Sequence, residues 1–79
     1  MRDINLTPRE EQVLAQMIQG LSTNEIAERL NIGSETVSSY RRIMYRKLGA
    51  RSAAQAVFKA FQLGILNKRT FREIRDEFF

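Results

Sequence analysis

The sequence predicts an all-α protein, and three kinds of observation predict it. Helix-start signatures recur: Thr7-Pro8-Arg9-Glu10, Ser22-Thr23-Asn24-Glu25, Ser52-Ala53-Ala54-Gln55 and Thr70-Phe71-Arg72-Glu73 each place Ser or Thr three residues before Glu or Gln. That is the capping-box spacing, which satisfies free amides at a helix N-terminus. Apolar residues at helical spacing follow these starts. Glycines at 20, 49 and 64 fall where the first, third and fourth stripes end, as helix stops do. Seventy-nine residues make one small domain with a single modest core. The chain has neither cysteine nor histidine, which excludes a disulfide framework and the usual zinc sites. No cofactor or metal is implied, and stability rests on helix packing.

Residues 1–6 read as a short, loosely held arm. In the first helix Thr7 is the N-cap, Pro8 occupies N1, where its missing N–H costs nothing, and Glu10 occupies N3. This helix runs to about Gln19, with Val13, Leu14, Met17 and Ile18 as its core stripe. The second helix starts at about Thr23 and carries Ile26, Ala27 and Leu30 on one face. Glu25 has the spacing of a cap and is read as one in preference to a catalytic acid. Asn31 and Gly33 then break the helix, since both tolerate positive φ. Ser34 is read as the N-cap of a long third helix that ends at Gly49.

The fourth helix, capped by Ser52 with Gln55 at N3, runs to about Leu63 and stops at Gly64. Its core face is read as Ala53, Ala56, Val57, Ala60 and Leu63. Ala54, Phe58 and Phe61 fall on a flanking sector that one small domain does not fully cover, which calls for a partner or for the tail. The tail repeats the capping-box spacing at Thr70, and so predicts an added short C-terminal fifth helix with Phe71, Ile74 and Phe78 on one stripe. That stripe either covers the Phe58 and Phe61 face in cis or makes a subunit interface.

The second and third helices together have the form of a helix-turn-helix. At about 100° per residue, Val37, Tyr40, Met44 and Leu48 share one sector of the third helix. Roughly opposite lie Glu35, Ser38, Ser39, Arg42 and Arg46. Short hydroxyl side chains near the N-terminus, followed by cations one turn apart, suit a helix that meets base edges and then reaches bases or phosphates. A solvated face is the alternative, and the charge distribution weighs against it. Residues 1–35 hold three basic and six acidic side chains, a net of −3, whereas residues 36–79 hold ten basic and three acidic, a net of +7. No acidic residue occurs between Thr36 and Arg72. The positive field begins where the third helix begins, which points to a polyanion, and for a helix-turn-helix to double-stranded DNA.

Thr23 and Asn24, at the positively polarised start of the second helix, can offer hydrogen bonds to phosphate. Arg51, just before the fourth helix, can contact phosphate or be solvated. An anionic membrane surface fits less well, because the other face of the cationic helix is required for the core. The longest apolar runs are far too short to span a bilayer, and no signal-peptide core follows Met1-Arg-Asp-Ile-Asn. A cytoplasmic location is the default.

These residues carry a resemblance to the LuxR-type helix-turn-helix domain, also called GerE- or NarL-type. The matching features are Leu6-Thr7-Pro8-Arg9-Glu10, Gly20-Leu21-Ser22, Asn24-Glu25-Ile26-Ala27 with Leu30, Ile32, Thr36-Val37, Lys47-Leu48-Gly49, Ala56-Val57 and Gly64-Ile65. They cover about residues 6–66. The resemblance implies a four-helix domain, here residues 1–66; residues 67–79 are read as a C-terminal helical extension beyond it. It implies a role in transcription regulation, with the third helix, about residues 35–48, in the major groove. It further implies base contacts by Ser38, Ser39 and Arg42, and phosphate approach near Thr23, Tyr40, Arg41, Arg46 and Lys47. A homodimer through the fourth helix is implied too, and its exposed sector supplies Ala54, Phe58, Phe61 and Gln62. Ser38 stands where many relatives have lysine, and Tyr40 where many have histidine, so the base contacts differ from the common pattern while the fold does not. Such proteins usually carry a preceding receiver or ligand-binding domain, and the tail runs past the usual end. The expectation is a stand-alone small regulator, which Met1 favours.

The leading functional reading is a sequence-specific, DNA-binding transcription regulator acting as a homodimer. The alternative is an interaction protein that heterodimerises with a larger LuxR-type regulator and blocks it, a reading the intact basic face opposes. A third is a sigma-factor-like fragment docking on RNA polymerase, which the Thr-Pro-Arg-Glu and Lys-Leu-Gly spacing fits less well. No acid–base or nucleophile constellation emerges, so an enzyme is not expected.

Overall fold

A computed structural model of the chain describes residues 5–66 and Arg72. Over these residues it forms four helices and no strand: α1 (Pro8–Ile18), α2 (Thr23–Leu30), α3 (Ser34–Leu48) and α4 (Ala53–Gln62). Arg72 apart, the stretch expected to form a fifth helix lies outside the described residues, as do residues 1–4 of the N-terminal arm.

The helix starts follow from local side-chain chemistry. Thr7 Oγ1 accepts the Glu10 amide at 3.2 Å, and Glu10 Oε1 accepts the Thr7 amide at 2.8 Å. Ser22 and Glu25 repeat the arrangement at 3.2 and 2.8 Å. The box expected at Ser52 is only half formed. Ser52 Oγ accepts the Gln55 amide at 3.1 Å, but Gln55 Oε1 accepts from the Arg51 amide at 2.8 Å instead of from Ser52. The backbone gives the reason: Ser52 has φ −149°, against −71° and −74° at Thr7 and Ser22, which turns its own N–H away.

All four helices end the same way. Left-handed residues at Gly20, Asn31, Gly49 and Gly64 let the following amide bond back five residues. The pairs are Leu21 to Gln16 at 3.1 Å, Ile32 to Ala27 at 3.0 Å, Ala50 to Tyr45 at 2.8 Å and Ile65 to Ala60 at 2.9 Å. This is the Schellman pattern, which satisfies carbonyls that a helix end leaves free. Between α2 and α3, Asn31 alone makes the reversal at φ 56°. Gly33 has φ −73° and is itself the N-cap, without a side-chain cap bond, so Ser34 is the first residue of α3 and not its cap. A Cβ at Gly33 would meet only Thr36 Oγ1, at 3.9 Å; positive φ is not used there.

Helices α1 and α3 each pack against the other three, whereas α2 and α4 do not pack against each other. Val13, Leu14, Ile26, Val37, Met44 and Leu66 are fully buried between them. Ala56 and Ala60, also fully buried, let α4 approach closely. Leu63, expected in the core, is 49% exposed. The reversal at Gly64 carries the chain back immediately after it, the amides of Ile65 and Leu66 both bond Ala60 O, and Leu66 takes the buried place. Leu6, before α1, is buried as well.

Candidate nucleic-acid interface

The core requirement on α3 decides which of its residues reach solvent. Val37, Met44 and Leu48 are buried and Tyr40 is half-buried. Glu35, Ser38, Ser39, Arg42 and Arg46 are all exposed, so the outward sector read from the helical wheel is the solvent face of the folded chain. Glu35 stands in its first turn, the short hydroxyls of Ser38 and Ser39 in the second, and the guanidinium groups of Arg42 and Arg46 in the third and fourth. Ile43, not anticipated on this face, is also exposed.

Arg41 connects α3 to the start of α2. Its guanidinium donates to Thr23 Oγ1 at 2.6 Å and to the Tyr45 hydroxyl at 2.9 Å. It also lies 5.8 Å from the centre of the Tyr45 ring, within cation–π range. Thr23 is the first residue of α2. In that turn the Ser22 side chain accepts the Glu25 amide, whereas the Thr23 and Asn24 amides precede the first intrahelical bond. A fixed cation therefore stands beside the amide-rich end of a helix, next to the outward face of α3. Glu25, the one carboxylate in that turn, is turned to its cap: the bonds from the Ser22 amide and hydroxyl hold its carboxyl below the usual value of 4.5.

Lys47 is engaged differently. Its ammonium donates to Glu10 Oε1 at 2.8 Å and to the Asn5 carbonyl at 3.2 Å. The Glu10 side chain is only 4% exposed, that of Lys47 33%. Burial pushes the Glu10 carboxyl up, but the Lys47 ammonium and the Thr7 amide outweigh it, so the carboxyl titrates below its usual 4.5. One carboxylate oxygen thus completes the α1 cap and anchors the last turn of α3.

Among the remaining expected residues, Asn24 and Arg51 are exposed, and the Arg51 side chain is separate from the backbone bond to Gln55. Ala54, Phe58, Phe61 and Gln62 are all exposed on α4, at spacings that put them within about 100° of one another. Sequence reasoning did not find the Glu10–Lys47 pair, whose members are 37 residues apart, or the role of Tyr45 beneath Arg41. Ile43 did carry a sequence signal, an aliphatic residue on an otherwise polar sector. Among the described residues, no group of three or more carboxylates could hold a metal ion. No described helix is long and apolar enough to cross a membrane.

The family model described as bacterial regulatory proteins, luxR family (GerE), matches residues 4–60. Three curated proteins illustrate the similarity. The transcriptional regulatory protein MctR of Rhizobium johnstonii is 40% identical over 63 residues, 80% of this chain and 29% of that protein. The HTH-type transcriptional activator RamA of Corynebacterium glutamicum is 46% identical over 61 residues, 77% of this chain and 22% of that protein. The transcriptional regulatory protein FixJ of Bradyrhizobium diazoefficiens is 38% identical over 66 residues, 84% and 32% of the two chains. The chain spans about a third or less of the length of these relatives.

Proposed function

The chain belongs to the luxR family of bacterial regulatory proteins, and from that premise we propose that it is a sequence-specific, DNA-binding transcription regulator that inserts α3 into the major groove. One observation carries the reading. The solvent face of α3 presents Ser38, Ser39, Arg42 and Arg46 beside the amide end of α2, and Arg41 ties the two helices together. Short side chains at Ser38 and Ser39 let the helix approach base edges, and Arg42 has the reach and fork geometry for a guanine. Thr23, Asn24, Tyr40, Arg41, Arg46, Lys47 and Arg51 surround this strip and serve as phosphate contacts that set its register. Arg41 keeps donors beyond the two already used, and Lys47 keeps a third ammonium proton.

Residues 1–66 form the DNA-binding unit in this reading and residues 67–79 an extension of it. Two copies pair through Ala54, Phe58, Phe61 and Gln62 of α4, so that two α3 helices meet two half-sites. Such a regulator works in the cytoplasm and needs no enzymatic group. Selection from a random-sequence DNA library, followed by titration of the selected site at several salt concentrations, tests the proposal. A defined motif with a steep salt slope supports it. In that assay Arg42→Ala is expected to cost about 1–3 kcal/mol and relax preference at one base of each half-site. Weak, motif-free binding, with recovery of a larger LuxR-type protein in its place, would replace it by the partner-blocking alternative.

A further inference from the structure

Four large apolar side chains are exposed among the described residues: Ile43, Phe58, Phe61 and Leu63. The last three belong to α4 and its C-terminal cap. Ile43 stands apart, 44% exposed on α3. An isolated surface aliphatic residue needs no explanation by itself, and the informative feature is where this one stands. It follows Arg42, lies one turn beyond Ser39 and precedes Arg46 by three residues, and all three neighbours are exposed. The buried Val37, Met44 and Leu48 lie about 100–140° around the helix from it, so Ile43 stands on the flank of the outward sector, nearest Ser39 and Arg46. Helix propensity does not explain an isoleucine here, since β-branched side chains are mediocre helix formers. Burial accounts for it only in part, since 44% of it stays exposed.

A flanking pair of arginines fits a polyanion and disfavours an apolar protein surface. At the base edges of a major groove, the apolar group on offer is the C5-methyl of thymine. We infer that Ile43 is a specificity-determining residue that packs on a thymine methyl, one turn along α3 from the short serines. This rests on the regulator reading above. The serines let the helix sit close enough for a branched aliphatic side chain to reach the base edges. Ile43 brings a side chain held largely in one χ1 rotamer, so ordering it costs less than ordering an arginine. Contact removes two apolar surfaces from water at once.

The test uses the full chain and the site it selects from a random library, with each thymine replaced in turn by deoxyuridine. That change deletes the methyl and leaves the pairing edge intact. Wild type is expected to lose about three- to tenfold in affinity at one or two thymines per half-site. Ile43→Ala should show that loss already on the unmodified site, be insensitive to uridine at the same positions, and keep the wild-type salt slope, since no phosphate contact is removed. Arg42→Ala should keep the uridine sensitivity. Ile43→Gln, which keeps the helix but puts a polar amide where the apolar branch stood, provides a second variant. A selected motif at which Ile43→Ala and Ile43→Gln retain the wild-type uridine sensitivity, or at which no thymine is sensitive, overturns the inference and leaves the regulator reading standing. Failure to select any motif overturns both.

Discussion

Replacing Lys47 by Met removes the cation from a buried carboxylate while keeping the unbranched stem of the side chain. At 2.8 Å the bare attraction in an effective dielectric of 20 is about 6 kcal/mol, most of which offsets the desolvation of Glu10. After the substitution the carboxylate keeps the Thr7 amide, so the loss should fall below the roughly 3–5 kcal/mol of a fully orphaned charge. We expect about 2 kcal/mol, and a fall in melting temperature of about 8–16 °C for a domain of this size. Glu10→Gln should cost less, about 1 kcal/mol, because the amide still accepts from Thr7 and the part-exposed Lys47 is left to water. The double variant should then show a coupling of about 1–2 kcal/mol between the two sites. Circular-dichroism melts of the four proteins at neutral pH measure this. Additivity within about 0.5 kcal/mol would refute the argument that the two side chains act as a unit. The same variant tests the proposed phosphate contact of Lys47: loss of such a contact lowers the salt slope by about one, and an unchanged slope removes Lys47 from the phosphate set.

Three further outcomes are expected. Glu10 and Glu25 both have carboxyls held below 4.5, so the folded state favours their charged forms. Their contribution is complete above that value and is lost as the pH falls through the lower folded-state values. The melting temperature should therefore drop on acidification below about pH 4.5, and Glu10→Gln should flatten part of that drop. Gly49→Ala, at φ 69° with no atom within 4 Å of the added Cβ, should cost only backbone strain, about 1 kcal/mol; a much larger loss in the same melts would mean that packing is involved. Phe58→Glu with Phe61→Glu should change monomer stability by less than about 1 kcal/mol while abolishing the proposed pairing through α4. A dimer that forms in sedimentation with both variants in place would exclude this face of α4 as the interface.

What was legible in the sequence is what short-range chemistry decides. Thr7 with Glu10 and Ser22 with Glu25 set helix starts within four residues, and the spacing of Val37, Met44 and Leu48 fixes which side of α3 is buried. The misreadings have equally local causes. Ser34 has the chemistry of a cap, but once Asn31 makes the reversal the helix begins one residue earlier than a serine cap requires. Leu63 has the right phase for the core, but the turn at Gly64 substitutes Leu66. What no periodicity reveals is contact across the chain. Lys47 and Glu10 read separately as a surface cation and a capping acid, and only the packing of α3 on α1 brings them together. The α4 face and the strip of α3 were readable as exposed, since both follow from the wheel. What binds them is a matter of chemistry outside the chain.

The two long-range contacts bear on how the candidate interface is held. Arg41 fastens α3 to the first residue of α2, and Lys47 fastens its last turn to the cap of α1. The packing of Val37, Met44 and Leu48 against the other helices seats α3, and directional polar contacts add to what that packing fixes. Here those contacts go to two different helices. The serines and Arg42 therefore keep a fixed orientation relative to the free amides of α2 before any partner arrives. Because ordering side chains and segments on binding costs free energy, a prepaid orientation converts more of each phosphate and base contact into affinity. Glu10 and Tyr45 thereby act through Lys47 and Arg41 on the placement of α3, and under the proposed function they are positioning residues for Ser38, Ser39 and Arg42.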